Sequence, residues 1–192
     1  MAKVLEIRWH ARGGQGAKTA ALMLAESVAE MGKYVQGFPE YGPERMGAPI
    51  LAFNRISDEP IFVHSNVTNP NIVIVLDPTL LGKAKITDGV PKDGIYIINT
   101  SKTPQEIRKI LGITTGKIFT IDATQISIET IGRPIPNTPM MGAFIRATGI
   151  IPFETFMEHM KEQLGKKFKS KSEVIEGNLK AIERAYMEVK SE

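Results

Sequence analysis

Apolar positions along this 192-residue chain follow two rhythms. In the amino-terminal two thirds, short runs rich in Ile, Val and Leu alternate with stretches of helical periodicity. Residues 4–10 read as a strand, and residues 16–31 as a helix with Ala21, Leu24, Val28 and Met31 on one face. Gly32 stands where a C-cap is needed, and residues 34–38 read as a second strand. Residues 50–56 and 61–64 are expected to form a hairpin around Ser57-Asp58-Glu59-Pro60. Three more apolar runs lie at 72–76, 95–98 and 118–121; their unbroken Ile/Val character suits strands buried on both faces of a parallel sheet. Helices are expected between them at 79–84 and Pro104–Leu111.

From residue 138 onward the rhythm is helical. Thr138 and Pro139 read as N-cap and first-turn proline of a helix reaching about Thr148. Phe153, Phe156, Met157, Met160 and Leu164 share one face of the next helix, and Ile175, Leu179, Ile182, Tyr186 and Val189 one face of the last. The fold class expected is α/β: a three-layer Rossmann-like domain with a mixed, mostly parallel sheet and a helical C-terminal third, residues 1–192 forming one domain.

Composition narrows the functional classes. The apolar share of 42% and charged share of 23% belong to a soluble globular chain. No apolar run approaches the roughly 18 residues of a membrane span, and Met1-Ala2-Lys3-Val4 carries no signal-peptide pattern, so a cytoplasmic location is expected with no membrane partner. The net charge of +3 is mild. Lys166, Lys167, Lys169 and Lys171 read as a solvated linker rather than a nucleic-acid patch, since no aromatic residues interleave with a basic groove. The chain has no cysteine, which excludes disulfides and thiolate-ligated clusters within it. His10, His64 and His159 lack metal-ligand spacing.

Three motifs carry candidate chemistry. The first is Arg12-Gly13-Gly14-Gln15-Gly16 between strand and helix, where glycines admit positive φ and the helix start presents unpaired N–H groups to an anion. It is not a Walker loop, because Ala17 precedes Lys18 and Arg12 replaces the first glycine. It matches G-x-G-x-x-G only until Thr19, and Glu40 alone could serve the ribose. A phosphate cradle and a purely structural turn both stay open. The second motif, residues 38–49, packs Gly42, Gly47 and three prolines around Tyr41 and Arg45, as either a ligand loop or a rigid surface or subunit contact. The third, Asn137-Thr138-Pro139-Met140-Met141-Gly142, places a glycine inside a helix, which points first to close helix packing. Asp77 and Asp122 each end an apolar run and are expected to cap the next helix. No acid–base or nucleophile set stands out, so catalytic residues are not expected in this chain.

In that order the three motifs resemble the gamma subunit, or gamma domain, of 2-oxoacid:ferredoxin oxidoreductases. The closest likeness is to pyruvate:ferredoxin oxidoreductases of the multi-subunit archaeal and thermophilic bacterial type. The Glu6-Ile7-Arg8-Trp9-His10 strand and the Gln36-Gly37-Phe38-Pro39-Glu40-Tyr41 segment extend the resemblance over nearly the whole chain. It implies alpha, beta and delta partner subunits and ferredoxin as the complex's electron acceptor. Thiamine diphosphate and [4Fe–4S] clusters would sit on the partners and coenzyme A would be held partly here, with no nucleic acid involved. The implied coenzyme A site comprises Gly13, Gly14, Gln15 and Gly16, flanked by Arg12 and Thr19, with Tyr41, Gly42 and Arg45 lining the mouth and Asn137 closing it. Lys18 departs from the family pattern. The residues alone also leave open a stand-alone nucleotide-dependent oxidoreductase and a purely structural assembly subunit.

Overall fold

The computed structural model describes residues 4–40, 47–169 and 171–192. Among them seven strands form one mixed sheet: β1 (Leu5–Arg12), β2 (Tyr34–Pro39), β3 (Pro49–Ser57), β4 (Ile72–Val75), β5 (Ile95–Asn99), β6 (Lys117–Ile121) and β7 (Lys190–Ser191). Their order is β2-β3-β1-β4-β5-β6-β7, with β1, β4, β5 and β6 mutually parallel and β3 and β7 antiparallel to their neighbours. Helices α1 (Ala17–Ala29), α3 (Ala123–Ile131), α4 (Asn137–Thr148), α5 (Phe153–Phe168) and α6 (Ser172–Glu188) pack on one face, and α2 (Pro104–Leu111) on the other. The strand period of two divides the core. Ile72, Ile74 and Ile97 face the larger helical layer, while Val73, Val75 and Ile98 face α2, Leu80 and Ile86. The expected three-layer α/β architecture is therefore present. No helix among the described residues is long and apolar enough to cross a membrane.

The expected hairpin does not form. Both edges of β3 are already taken, with Ile56 opposite Leu5 of β1 on one side and Val35 of β2 on the other. Residues 61–64 therefore have no edge of β3 to join, and Phe62 lies 82% exposed. The segment is held by side chains instead: Gln36 Nε2 and Arg55 Nη1 donate to the Val63 carbonyl at 3.0 and 3.4 Å. The helix expected at 79–84 is a single 3-10 turn, Pro78–Leu80, because Leu81 turns extended and Gly82 has φ +75°. Thr138 is not a cap; α4 starts at Asn137 with Pro136 in the cap position, two residues before the expected one, and Pro139 sits in the first turn, where a missing N–H costs nothing. The lysine run is not a linker throughout, since Lys166 and Lys167 form the last turn of α5. Asp122 caps α3 by accepting from the Gln125 amide, and Asp77 accepts from the Thr79 amide.

Helix α1 is drawn tightly onto the sheet. Trp9 Nε1 donates to Asn54 Oδ1 at 2.8 Å, and Asn54 Nδ2 donates to the Ala21 carbonyl at 2.8 Å. Gly37 makes room: a Cβ there would stand 3.1 Å from both the Ala21 oxygen and the Ala25 methyl. The start of α1 is thus registered against the carboxyl ends of the parallel strands.

On the opposite face Arg8 is buried with no carboxylate partner among the described residues, and its Nη2 donates to the carbonyls of Lys85, Ile86 and Asp88. Its Nε donates to His10 Nε2 at 3.0 Å, which requires a neutral imidazole. Burial, and then the Arg8 charge, bring the His10 pKa down to about 4. The unfolded chain therefore binds more protons than the native one between about pH 4 and 6.5. The contribution of His10 to stability is complete above pH 6.5 and is lost as pH falls toward 4. Urea titrations should show a loss of about 3 kcal/mol across that window. The His10→Gln variant is expected to lack that part of the slope; an identical slope would refute the assignment.

Candidate functional site

At the end of β1 the backbone turns through Gly14 at φ +96° and Gly16 at φ +83°, conformations that glycine adopts without steric cost. The turn is clamped on both sides. The Gly13 amide donates to Ala48 O at 2.9 Å, and the Gly47 amide donates to Gly13 O at 3.3 Å. The Gln15 side chain accepts from the Arg12 amide at 2.8 Å and donates to Asp77 Oδ2 at 2.7 Å. Arg12 reaches across to Thr79 Oγ1 through Nε and Nη2, at 3.1 and 3.0 Å, and to Gly47 O through Nη1. Its Nε lies 3.3 Å from Asp77 Oδ2. Burial pushes the Asp77 carboxyl up, but the Thr79 hydroxyl and amide, the Gln15 amide and the Arg12 charge together hold it below the usual range.

These bonds divide the expected site residues by task. Arg12, Gly13 and Gln15 spend donors on the frame of the turn. The amides of Gly14, Gly16, Ala17, Lys18 and Thr19 have no acceptor among the described residues. Ala17, Lys18 and Thr19 are the first three residues of α1, where such amides converge with the positive end of the helix dipole. They border a cavity of about 490 Å³ whose far wall is Pro39, Glu40, Ile50 and Leu51. Lys18 lies on that cavity and is exposed.

Asn137, the first residue of α4, packs directly on the turn: a Cβ on Gly16 would stand 2.6 Å from Asn137 Nδ2. Expected residues far apart in sequence therefore do meet. Tyr41, Gly42 and Arg45 fall outside the described residues. Gly142 belongs to packing, as expected, since its Cβ would lie 2.2 Å from the Ile182 carbonyl oxygen of α6. Thr79 and Gly47 join the frame of the turn without having been expected there. Thr79 stands two residues after the strand-ending Asp77, and that proximity is the only signal the sequence offers for it.

Residues 6–188 match the pyruvate ferredoxin/flavodoxin oxidoreductase family. The chain is 54% identical to pyruvate synthase subunit PorC of Thermotoga maritima over 98% of its own length and 96% of that protein's. It is 44% identical to the pyruvate/ketoisovalerate oxidoreductases common subunit gamma of Thermococcus kodakarensis, over 95% of this chain and 96% of that one. The crystal structure of the pyruvate oxidoreductase subunit PORC from Thermotoga maritima superposes with a TM-score of 0.86 at 49% identity, covering 98% of each chain. The fold also recurs, at 21% identity and a TM-score of 0.76, in the 2-oxoglutarate:ferredoxin oxidoreductase of Magnetococcus marinus. That structure has 2-oxoglutarate, coenzyme A and succinyl-CoA bound, and this chain covers 31% of it. This chain therefore belongs to the pyruvate ferredoxin/flavodoxin oxidoreductase family.

Proposed function

We propose that the chain is the gamma subunit of a pyruvate synthase complex, a single gamma-type domain of residues 1–192 that helps hold coenzyme A. The complex would convert pyruvate, coenzyme A and oxidised ferredoxin into acetyl-CoA, carbon dioxide and reduced ferredoxin. The observation that supports the coenzyme A role is the row of unpartnered amides from Gly14 to Thr19 beside an open cavity. Amides at a helix start donate to phosphate oxygens, and each anion contact at a helix terminus is worth about 0.3–1 kcal/mol, more when partly buried. The donor set thus fits a polyphosphorylated carrier. Gly14, Gly16 and Thr19 would meet its phosphates, Lys18 would add a positive charge, and Arg12, Gln15 and Asp77 would keep the turn rigid. Tyr41, Gly42 and Arg45 are assigned to the mouth on sequence grounds alone.

Alpha, beta and delta partner chains would hold thiamine diphosphate, which stabilises the carbanion of decarboxylation when bound, and the [4Fe–4S] clusters that pass electrons on. The absence of cysteine here supports that division, because such clusters are ligated by thiolates. This chain's task would then be positional: to present the thiol carrier to chemistry carried out by its neighbours.

Two measurements test the reading. The native chain should co-purify with polypeptides carrying thiamine diphosphate and iron–sulfur clusters. In the reconstituted complex, Gly14→Val should raise the KM for coenzyme A about tenfold or more, since a valine at φ +96° costs about 1–2 kcal/mol and moves the turn. An unchanged KM would remove the coenzyme A role from this chain.

A further inference from the structure

Beside the start of α1 lies a second cavity, of about 380 Å³, which shares Gly16 and Thr19 with the first. It is enclosed by α1, α4, α5, α6 and the segment after α3. Its floor is apolar, formed by Met23, Ile131, Ile135, Leu164, Phe168 and Val174. Its rim carries Arg133, Lys167 and Lys171, and no carboxylate among the described residues lines it. None of the three cations forms an ion pair among the described residues, whereas the neighbouring Lys166 pairs with Glu162. Three like charges beside a low-dielectric floor make a strongly positive mouth that a bound anion would stabilise.

One further polar group borders this space. Asn137 lines the cavity and is only 8% exposed, yet its Nδ2 donates to nothing among the described residues. Its Oδ1 lies 3.4 Å from the Thr138 hydroxyl, whose single proton goes to Asn178 Oδ1 at 2.9 Å.

We propose that this cavity binds a small organic anion, one phosphate or carboxylate head joined to a compact apolar group. The head would lie among Arg133, Lys167 and Lys171 and accept from Asn137 Nδ2, with the apolar group resting on Phe168, Leu164 and Val174. The site is separate from the coenzyme A cradle and does not depend on it: of the residues lining the two cavities, only Gly16 and Thr19 are common to both.

The test is calorimetric titration of the full chain in phosphate-free buffer with phenyl phosphate, with 4-methylpentanoate and with inorganic phosphate. Saturable one-to-one binding of either tailed anion, at least about tenfold tighter than inorganic phosphate, supports the site. The double variant Arg133→Gln, Lys167→Gln should weaken that binding about tenfold or more, and Lys18→Gln on the other cavity should leave it unchanged. Both rim positions are exposed, so the fold is expected to survive, and circular dichroism checks it. Saturating coenzyme A should not displace the probe. Absence of saturable binding, equal affinity in the double variant, or full displacement by coenzyme A would each overturn the proposal.

Discussion

Replacing Gly142 with leucine is expected to destabilise the chain by about 3 kcal/mol or more, among the larger effects of any single substitution. The cause is contact between two backbones. A Cβ at residue 142 would stand 2.2 Å from the Ile182 carbonyl oxygen and 3.0 Å from its carbonyl carbon, so the obstacle is α6 itself and not a side chain that can rotate. Helix α6 cannot retreat, because Gly177 brings it equally close to α3, where a Cβ would meet the Thr130 oxygen at 2.4 Å. Separating α4 from α6 would also break the Thr138–Asn178 bond and expose Phe144 and Ile182, both fully buried. Gly142→Ala should fall on the same side with a smaller loss, since alanine recovers about 1 kcal/mol in helix propensity. Chemical denaturation of the purified chain measures both. A loss under about 1 kcal/mol for the leucine variant would show that the two helices can part without penalty.

Gly16→Val is expected to reduce stability and ligand binding together. Valine at φ +83° is a severe outlier costing about 1–2 kcal/mol, and its Cβ would lie 2.6 Å from Asn137 Nδ2 and 2.8 Å from Asn137 Cγ. Either Asn137 leaves its buried position or the first turn of α1 shifts, which re-aims the amides of Ala17, Lys18 and Thr19. The expected stability loss is about 3 kcal/mol, with a rise of about a hundredfold in the KM for coenzyme A of the complex. Gly32→Ala at the other end of α1 is the control. Its φ is +77° with nothing within 4 Å of a Cβ, so it should carry the backbone cost and leave KM unchanged. Equal KM shifts for the two variants would mean that destabilisation, and not the turn, controls coenzyme A.

The strands that the apolar runs announced, β4, β5 and β6, lie in the middle of the sheet with helical layers on both faces, so their central residues are apolar whichever face they meet. Helix α2 was legible as the helical stretch Pro104–Leu111, and the structure adds the capping box in which Thr103 and Glu106 satisfy each other's amides. The failures were of another kind. Residues 61–64 have strand composition, but the edge they needed is occupied by β1 and β2, whose pairing with β3 spans tens of residues of chain. Helix α3 was heralded only by its Asp122 cap, and the two residues of β7 carry no pattern of their own.

The candidate site divides in the same way. The glycine turn is local chemistry: positive φ at Gly14 and Gly16 and free amides at a helix start come from neighbouring residues. By itself, then, the sequence determined the glycine turn, the apolar strands, the cysteine-free chemistry and the family to which the chain belongs. Only the tertiary structure decided that Asp77 and Thr79 hold Arg12, that Asn137 seats on Gly16, and that Arg133, Lys167 and Lys171 share one apolar cavity. The physical reason is range: dihedral preference and capping act over a few residues, whereas which side chains meet depends on how α4, α5 and α6 pack over the sheet.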